Sequence, residues 1–579
     1  MKTRSPVSLK NTLRPVRLQI STIPKKLDSE YDDTSHYLRR EDFAKIYEQP
    51  HSDITDQEML KLAKQEAENE TKNLQFQNEE EREEHVARHG NIIGVIGNAG
   101  IGKTTSAKKW ILQFDREEFL KPVTFLFFII ISKIDFKEDM TLLRFLLSSI
   151  LPQWKHTKKS DEHCFEKIMS DPNVVIVIDG LDEAAVDDMT IEAPSVNAFD
   201  PAQPLHILLN LLSGTLLPYA RIIVTSRPNQ FYRLHFKHRP KFVVEILGLD
   251  EKSQDDLGHQ ICTERYEQIK ETLQRNISAF TYCHVPVNFI LTVHYLAKNA
   301  DVQFVSMTEV LSFTYSSYSR GEPLKGKTPQ LASLAQLAWN GFYNKQVLFE
   351  ECDFKKVNLD ETTVHSFMNT SLLDTSTDIT LTILDGDKRV YFSHLIWQEF
   401  FAAVHLMFFA SRDHFKEALQ HIFEDRWEVV TKFLYGLCNE SAFQSRKCSL
   451  KIRPEASLWK DKKFWLKNAA SSYVDQQITH NESGEGRKIQ FESIQGICSW
   501  IHEANDQDVT SAVVPQFPDH IFLHGTVLPS DVSSLYFVLH SSSKPWSLEV
   551  DGCNFVGNAM ERFCLEASGI HEEKLRVGL

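Results

Sequence analysis

The sequence has no apolar run that is long enough to cross a membrane. Its longest largely apolar stretch covers residues 123–131, whereas a membrane-spanning helix needs about 20 such residues in succession. We therefore expect no membrane span, and we interpret this stretch as a β-strand.

Paired cysteines and a secretory signal are also missing. Nine cysteines are scattered along the 579 residues, and none of them shows Cys-x-x-Cys spacing or the spacing of a zinc site. Scattered cysteines of this kind are typical of reduced thiols in an intracellular protein. We therefore expect a cytoplasmic protein.

An excess of positive charge is absent as well. The 79 Asp and Glu residues outnumber the 64 Lys and Arg residues, and the formal net charge is −15. Because proteins that bind nucleic acid depend on a basic surface, we do not expect a nucleic acid as a partner.

The first 90 residues differ from the rest in composition. Residues 1–27 contain Lys and Arg but no acid, and they include Pro6, Pro15 and Pro24, which would break the amphipathic helix of a mitochondrial targeting peptide. We interpret them as a disordered basic tail. Residues 55–88 contain neither Gly nor Pro and favour a polar helical segment.

A glycine-rich stretch lies between an apolar run and the start of a predicted helix. It consists of Gly97, Asn98, Ala99, Gly100, Ile101, Gly102, Lys103, Thr104 and Thr105. In this context glycines let backbone N–H groups approach phosphate oxygens, and the helix N-terminus adds a partial positive charge. The sequence therefore predicts a phosphate-binding loop, in which Lys103 reaches the outer phosphates and the Thr104 hydroxyl holds Mg²⁺.

A second apolar run ends in a cluster of acids. Residues 174–178 are all Val or Ile, and Asp179, Gly180, Leu181, Asp182 and Glu183 follow them. An uninterrupted β-branched run is typical of a central parallel strand, and ligands of open α/β sheets lie at the carboxyl ends of the strands. We therefore expect Asp179 to lie beside the phosphate loop and to hold Mg²⁺ together with Thr104, directly or through water.

Strands and helices alternate between residues 91 and 249. The predicted strands cover residues 92–96, 123–131, 174–178, 221–225 and 242–246. This alternation predicts a doubly wound parallel sheet with helices on both faces.

The run from Asp179 to Glu183 resembles the signature of the NACHT branch of the STAND nucleotide switches, which include the NOD-like receptors. The resemblance extends over residues 91–406, and residues 548–555 fit the strand segment of a leucine-rich repeat. It implies a multidomain α/β and α protein. After the segment 1–90, we expect a P-loop NTPase domain (91–250), a first helical domain (251–304), a winged-helix domain (305–407), a second helical domain (408–545) and the start of a leucine-rich repeat region (546–579).

The same resemblance implies roles for three residues outside the loop. Arg227 corresponds to a sensor arginine that faces the γ-phosphate. Pro286 corresponds to a proline that packs against adenine, although proline is also common in the first turn of a helix. His394 corresponds to a histidine that contacts the β-phosphate of ADP and stabilises a closed state. Without the resemblance, Arg227 and His394 would be interpreted as a surface arginine and a core histidine.

These features together predict a nucleotide-binding site. The loop and Asp179 would bind ATP or ADP with Mg²⁺, and Asp182 and Glu183 are the candidate catalytic groups that orient or activate the attacking water. Gly180 occupies the position where many motor ATPases carry a catalytic Glu. We therefore expect weak ATPase activity.

Three functions remain open from the sequence. The resemblance implies a signalling switch in innate immunity that forms homo- or hetero-oligomers on activation and acts through an unidentified adaptor or effector protein. A regulatory or decoy scaffold would bind nucleotide without signalling, and the lack of an evident effector domain favours it. The third possibility is a P-loop ATPase that turns over to do mechanical work.

Overall fold

Two units make up the part of the chain that the structure describes, and the division between them falls at Leu249 and Asp250. The structure is a computed structural model. It describes residues 19–22, 56–72, 78, 82–83, 86, 90–97, 101–112, 122–131, 134, 136, 138–148, 159–184, 192–263, 265–276, 282–302, 304–318, 331–344, 346, 349, 351–359, 392, 395–445, 450, 452, 455–480, 487–542, 544–556, 558–568, 570 and 574–578.

The first unit is organised around a six-stranded sheet. Its strands are β1 (Gln19–Thr22), β2 (Ile92–Ile96), β3 (Phe125–Ile130), β4 (Val174–Asp179), β5 (Arg221–Ser226) and β6 (Phe242–Gly248). The strand order is β1-β6-β2-β5-β4-β3. Strands β2 to β6 pair in parallel, so their carboxyl ends share one edge, and β5 lies between β2 and β4.

The sequence explains why these strands form the centre of the unit. Every residue of β2, β4 and β5 is buried, and most of these residues are Val or Ile. β-branched side chains fit a pleated surface that is covered on both faces. The five predicted strands are confirmed, with ends that differ by one or two residues, as is usual for strand boundaries.

Helices of the first unit flank this sheet. They are α1 (Asp56–Thr71), α2 (Lys103–Leu112), α3 (Leu142–Leu147), α4 (Lys159–Ser170), α5 (Pro204–Leu212) and α6 (Pro228–Arg233), with a 3₁₀ turn at Leu181–Glu183. Helix α2 follows the glycine-rich loop directly and buries Ser106, Ala107 and Trp110. The helix expected within residues 55–88 is present as α1.

Strand β1 lies within residues 1–27, where the composition predicts a disordered tail. That prediction is wrong at Gln19–Thr22, because these residues pair antiparallel with β6, from Gln19 opposite Gly248 to Thr22 opposite Val244. An edge strand is held by backbone hydrogen bonds to its neighbour. Composition alone therefore does not reveal it.

The second unit is mainly helical up to residue 513. Its helices are α7 (Glu251–Ile261), α8 (Tyr266–Arg275), α9 (Pro286–Lys298), α10 (Met307–Tyr318), α11 (Leu331–Tyr343), α12 (Glu351–Val357), α13 (Leu395–Val404), α14 (Arg412–Ala418), α15 (Glu428–Gly436), α16 (Ser441–Gln444), α17 (Ala456–Gln477), α18 (Phe491–Ala504), α19 (Gln507–Val513), α20 (Pro529–His540) and α21 (Ala559–Ser568). Among the described helices, none combines the length and the apolar character that crossing a membrane requires.

A π-helix at His405–Phe409 continues α13. The buried Lys462 ammonium donates hydrogen bonds to the carbonyl oxygens of Leu406 (2.8 Å) and Ala410 (2.6 Å). These bonds satisfy carbonyl groups that the end of a helix leaves without an intrahelical partner. The His405 ring stacks on Trp339, with ring centroids 6.1 Å apart, and burial lowers the pKa of His405 to about 4.

A five-stranded sheet ends the second unit. Its strands are β7 (Thr479–His480), β8 (Arg487–Gln490), β9 (His520–Val527), β10 (Trp546–Phe555) and β11 (Leu575–Gly578), in sequential order. Strands β8 to β11 are parallel, with helices between them. Lys488, His520, Ser547 and Arg576 occupy paired register positions, so equivalent positions lie roughly 30 residues apart, close to the length of a leucine-rich repeat.

Strands β7 to β9 lie inside residues 408–545, for which the sequence predicts a helical domain. That part contains the predicted helices, and the short strands come in addition: the buried residues Ile489, Ile521 and Leu523 lie in β8 and β9. Such short strands give a weaker periodic signal than the long helices around them. The assignment of residues 546–579 to leucine-rich repeats stays a prediction.

Candidate functional site

The phosphate loop begins where β2 ends. Gly97 donates its backbone N–H to the carbonyl oxygen of Ser226 in β5 (3.3 Å). A Cβ atom at Gly97 would meet Ile101 Cγ2 at 2.8 Å and the carbonyl oxygen of Ile246 at 3.1 Å. Only glycine therefore fits between the loop and β6.

The loop turns into α2 at Gly102 and Lys103. Gly102 has a φ of +113°, which glycine adopts without steric cost. Its carbonyl oxygen accepts a hydrogen bond from the backbone N–H of Ser106 (2.9 Å), and this bond lies at the start of the helix. The Lys103 ammonium donates to the carbonyl oxygen of Gly97 (2.7 Å), so this charge lies across the loop.

Thr104 and Asp179 come together at this edge of the sheet. The Thr104 hydroxyl donates to Asp179 Oδ1 at 3.2 Å, and the Asp179 side chain is buried. Burial raises the pKa of the Asp179 carboxyl above its usual range, while hydrogen bonds from Thr225 and Thr104 and the charge of Lys103 oppose that change. A hydroxyl and a carboxylate are oxygen ligands of the kind that Mg²⁺ prefers.

Arg227 and Asp182 form an ion pair beside this group. Arg227 Nε lies 2.8 Å from Asp182 Oδ2, and the backbone N–H of Arg227 donates to Asp182 Oδ1 at 3.1 Å. The two side chains are 13% and 7% exposed. Both oxygens of Asp182 are therefore engaged by Arg227.

Thr225, to which the sequence alone gives no role, links the ends of β4 and β5. Its hydroxyl donates to Asp179 Oδ1 (2.7 Å) and accepts the backbone N–H of Gly180 (3.0 Å). The sequence does contain one signal for Thr225. The residue lies two positions before Arg227, at the carboxyl end of a predicted strand next to the strand that ends at Asp179.

The structure brings together most of the predicted site residues that it describes. Gly97, Lys103, Thr104 and Asp179 meet at one edge of the sheet, with Asp182 and Arg227 paired beside them. Ile101 is buried, whereas Thr105 is exposed on α2. Pro286 is the first residue of α9, so it lies in the first turn of a helix, where proline is common. Asn98, Ala99, Gly100, His394 and the side chain of Glu183 lie outside the described residues.

These residues fit a nucleoside phosphate and its magnesium ion. A Cβ would be obstructed at Gly97, and Gly102 has a positive φ. Gly102 directly precedes the N-terminus of α2, where anions are stabilised. Lys103 supplies a positive charge, and Thr104 and Asp179 supply oxygen ligands. The sheet order and this site define the class of P-loop NTPases.

Comparison with known proteins makes the class more specific. The NACHT domain profile matches residues 91–263, and the NOD2 winged helix domain profile matches residues 329–381. The chain contains a NACHT domain followed by a winged-helix domain of the NOD2 type. The sequence-based resemblance to NACHT proteins is therefore confirmed.

The chain is similar to NACHT, LRR and PYD domains-containing proteins. It is 25% identical to protein 12 of Mus musculus over 461 residues, which cover 76% of this chain and 40% of the relative. It is 27% identical to protein 3 of Rattus norvegicus over 426 residues, which cover 66% of this chain and 39% of the relative. The chain thus spans less than half the length of each of these relatives.

Among solved structures, a chain from the structure of Drosophila ORC bound to DNA aligns with this chain. The alignment covers 61% of this chain and 83% of the other chain. The identity is 12% and the TM-score is 0.21. A score this low supports no inference about the fold or the function of this chain.

Proposed function

We propose that the chain is a nucleotide-regulated signalling switch of the NOD-like receptor type, acting in the cytoplasm and in innate immunity. The observation that carries the proposal is the hydrogen bond between Thr104 and Asp179 beside the loop that begins at Gly97. The match to the NACHT domain and the similarity to the NACHT, LRR and PYD domains-containing proteins support it.

The residues of the loop would hold ATP or ADP. Backbone N–H groups of the loop beyond Gly97 and the Lys103 ammonium would bind the phosphates, and Thr104 with Asp179 would hold Mg²⁺. When bound, Mg²⁺ neutralises phosphate charge and orients the phosphate oxygens. In the described geometry, Lys103 and the N-terminus of α2 place positive charge at this position.

Slow hydrolysis follows from the position of Asp182. We assign Asp182 and Glu183 as the groups that orient or activate water, and Arg227 as the sensor of the γ-phosphate. However, Asp182 Oδ1 accepts the backbone N–H of Arg227, and Asp182 Oδ2 forms an ion pair with Arg227 Nε. A carboxylate held in this way is poorly placed to accept a further proton, which suits a switch better than a motor.

Switching requires that the nucleotide have different affinities for two states of the chain. In the proposal, Pro286 and His394 contact ADP in a closed state, and ATP favours an open state. The open state forms homo- or hetero-oligomers by head-to-tail contacts that close into a ring, and it passes the signal to an adaptor or effector protein.

A measurement of steady-state turnover distinguishes the switch from a working ATPase. We expect the purified wild-type chain to hydrolyse ATP far below the typical enzyme rate of about 10 s⁻¹, and the Lys103→Ala variant to show no turnover above background. If the wild-type chain alone sustained turnover at about 10 s⁻¹ and Lys103→Ala lost it, the result would show a working ATPase and would contradict the switch.

A further inference from the structure

Thr225 lies at the carboxyl end of β5, the strand that separates β2 from β4. In the register of the sheet, Thr225 pairs with Val95 of β2, and its neighbour Val224 pairs with Ile178 of β4. The Thr225 side chain is 0% exposed. It is therefore a buried polar group placed between the strand that leads into the phosphate loop and the strand that ends at Asp179.

The hydrogen bonds of Thr225 fix the direction of its hydroxyl proton. The backbone N–H of Gly180 can only donate, so the Thr225 oxygen accepts this hydrogen bond at 3.0 Å. A hydroxyl carries a single proton, and this proton is donated to Asp179 Oδ1 at 2.7 Å. Thr225 thus ties the Asp179 side chain to the backbone of the residue that follows it.

Asp179 Oδ1 accepts hydrogen bonds from two hydroxyl groups that belong to different elements of the fold. Thr225 donates to it from β5, and Thr104 donates to it from the first turn of α2 at 3.2 Å. The shorter of the two contacts comes from Thr225, which is buried in a central strand of the sheet. The position of the carboxylate is therefore set mainly by Thr225.

We infer that Thr225 is a positioning residue for the Mg²⁺-nucleotide complex, because it holds the Asp179 carboxylate where Asp179 and Thr104 can bind the metal together. The inference rests on the proposed function, since it concerns the same site. Groups that orient a metal-binding side chain through a hydrogen bond typically change metal affinity by about 10- to 100-fold when they are removed.

A set of three single variants tests this role. Thr225→Val keeps the branched shape and removes the hydroxyl, whereas Thr225→Ser keeps the hydroxyl and removes the methyl group. Thr71→Val is the matched control, because Thr71 is also buried, on α1 of the same unit, and its hydroxyl donates to the carbonyl oxygen of Glu68 instead (2.6 Å). The dissociation constant of a non-hydrolysable ATP analogue is measured by calorimetry for each 579-residue chain, with excess Mg²⁺ and again with EDTA.

The ratio of the two dissociation constants separates positioning from a merely structural role. A structural role would weaken binding equally with and without the metal, whereas positioning affects only the Mg²⁺-dependent gain in affinity. We expect Thr225→Val to reduce that gain by about 10- to 100-fold, and we expect Thr225→Ser and Thr71→Val to keep it close to the wild-type value. Thermal unfolding of the nucleotide-free chains reports any loss of stability separately.

The outcomes distinguish this inference from the proposed function. A Thr225→Val variant that keeps the full Mg²⁺-dependent gain overturns the positioning role and leaves the nucleotide switch standing. The positioning role also fails if wild-type binding is independent of Mg²⁺. A wild-type chain that binds no nucleotide with or without Mg²⁺ overturns both.

Discussion

Arg227 holds Asp182 with both its side chain and its backbone. Its Nε lies 2.8 Å from Asp182 Oδ2, and its backbone N–H donates to Asp182 Oδ1 at 3.1 Å. The two residues are 45 positions apart in the sequence and meet because β4 and β5 are neighbours. The candidate sensor arginine and a candidate catalytic acid are therefore partners, and the state of one depends on the other.

The first prediction concerns the stability of this pair. Removing one partner leaves the other charge buried and unpaired, so Arg227→Ala and Asp182→Ala should each lower the free energy of unfolding by about 3–5 kcal/mol. The double variant should lose clearly less than the sum of the two. Urea unfolding of the nucleotide-free chains measures all three values.

An exposed ion pair in the same unit provides the control. Lys237 Nζ lies 2.6 Å from Glu192 Oε1, but the side chains are 50% and 55% exposed. Lys237→Ala should therefore leave the free energy of unfolding close to the wild-type value. Additive losses in the Arg227 and Asp182 variants, or losses as small as that of Lys237→Ala, would contradict a coupled buried pair.

The second prediction concerns the loop lysine. Lys103→Ala removes the ammonium that lies across the loop, so the variant should not retain nucleotide. Loss of a ligand present at 100 times its dissociation constant removes about 2.7 kcal/mol of stability. Thermal unfolding with added Mg²⁺-ADP should therefore show a ligand-induced shift for the wild-type chain and none for the variant.

Lys61→Ala serves as the matched control, because Lys61 is exposed on α1 of the same unit. It removes the same charge from the chain and should keep the wild-type shift. If Lys103→Ala melted at the wild-type temperature and carried the same nucleotide content, the assignment of the phosphate loop would be refuted.

The third prediction is a loss of stability in mild acid that originates at His405. Burial lowers the pKa of His405 from 6.5 to about 4, with smaller contributions from the charges of His414 and Lys462. Between these two pKa values the unfolded chain binds a proton that the folded chain does not, so stability falls as the pH falls. At pH 5 the loss relative to pH 7 should be about 2 kcal/mol.

His405→Phe tests this prediction, because it keeps an aromatic ring beside Trp339 and removes the titrating group. The difference in unfolding free energy between pH 7 and pH 5 should shrink by about 2 kcal/mol in the variant. His520→Gln, at an exposed position of β9, should leave that difference unchanged. If the free energy of unfolding changed with pH in the same way for wild type and for His405→Phe, the result would contradict a neutral, buried His405.

The parts of the fold that the sequence predicts are those with strong local patterns. Uninterrupted Val and Ile residues mark β4, and a glycine loop between a strand and a helix marks the site around Gly97. These signals depend on neighbours in the chain, and the structure confirms the strands at the expected positions.

The parts that the sequence does not predict depend on which strands are neighbours. Strand β1 is held by pairing with β6, more than 200 residues away. The role of Thr225 becomes visible only when the order β2-β5-β4 places it next to Asp179. The pairing of Arg227 with Asp182 has the same origin, since no local pattern connects the two residues.

The identity of any nucleotide that survives purification tests the central claim most directly. The purified wild-type chain is denatured, and the released small molecules are separated by chromatography and compared with adenine nucleotide standards. The account predicts ADP as the main species at close to one per chain for wild type and none for Lys103→Ala. A wild-type chain that releases no nucleotide and shows no change in thermal unfolding with added Mg²⁺-ADP or Mg²⁺-ATP would contradict it.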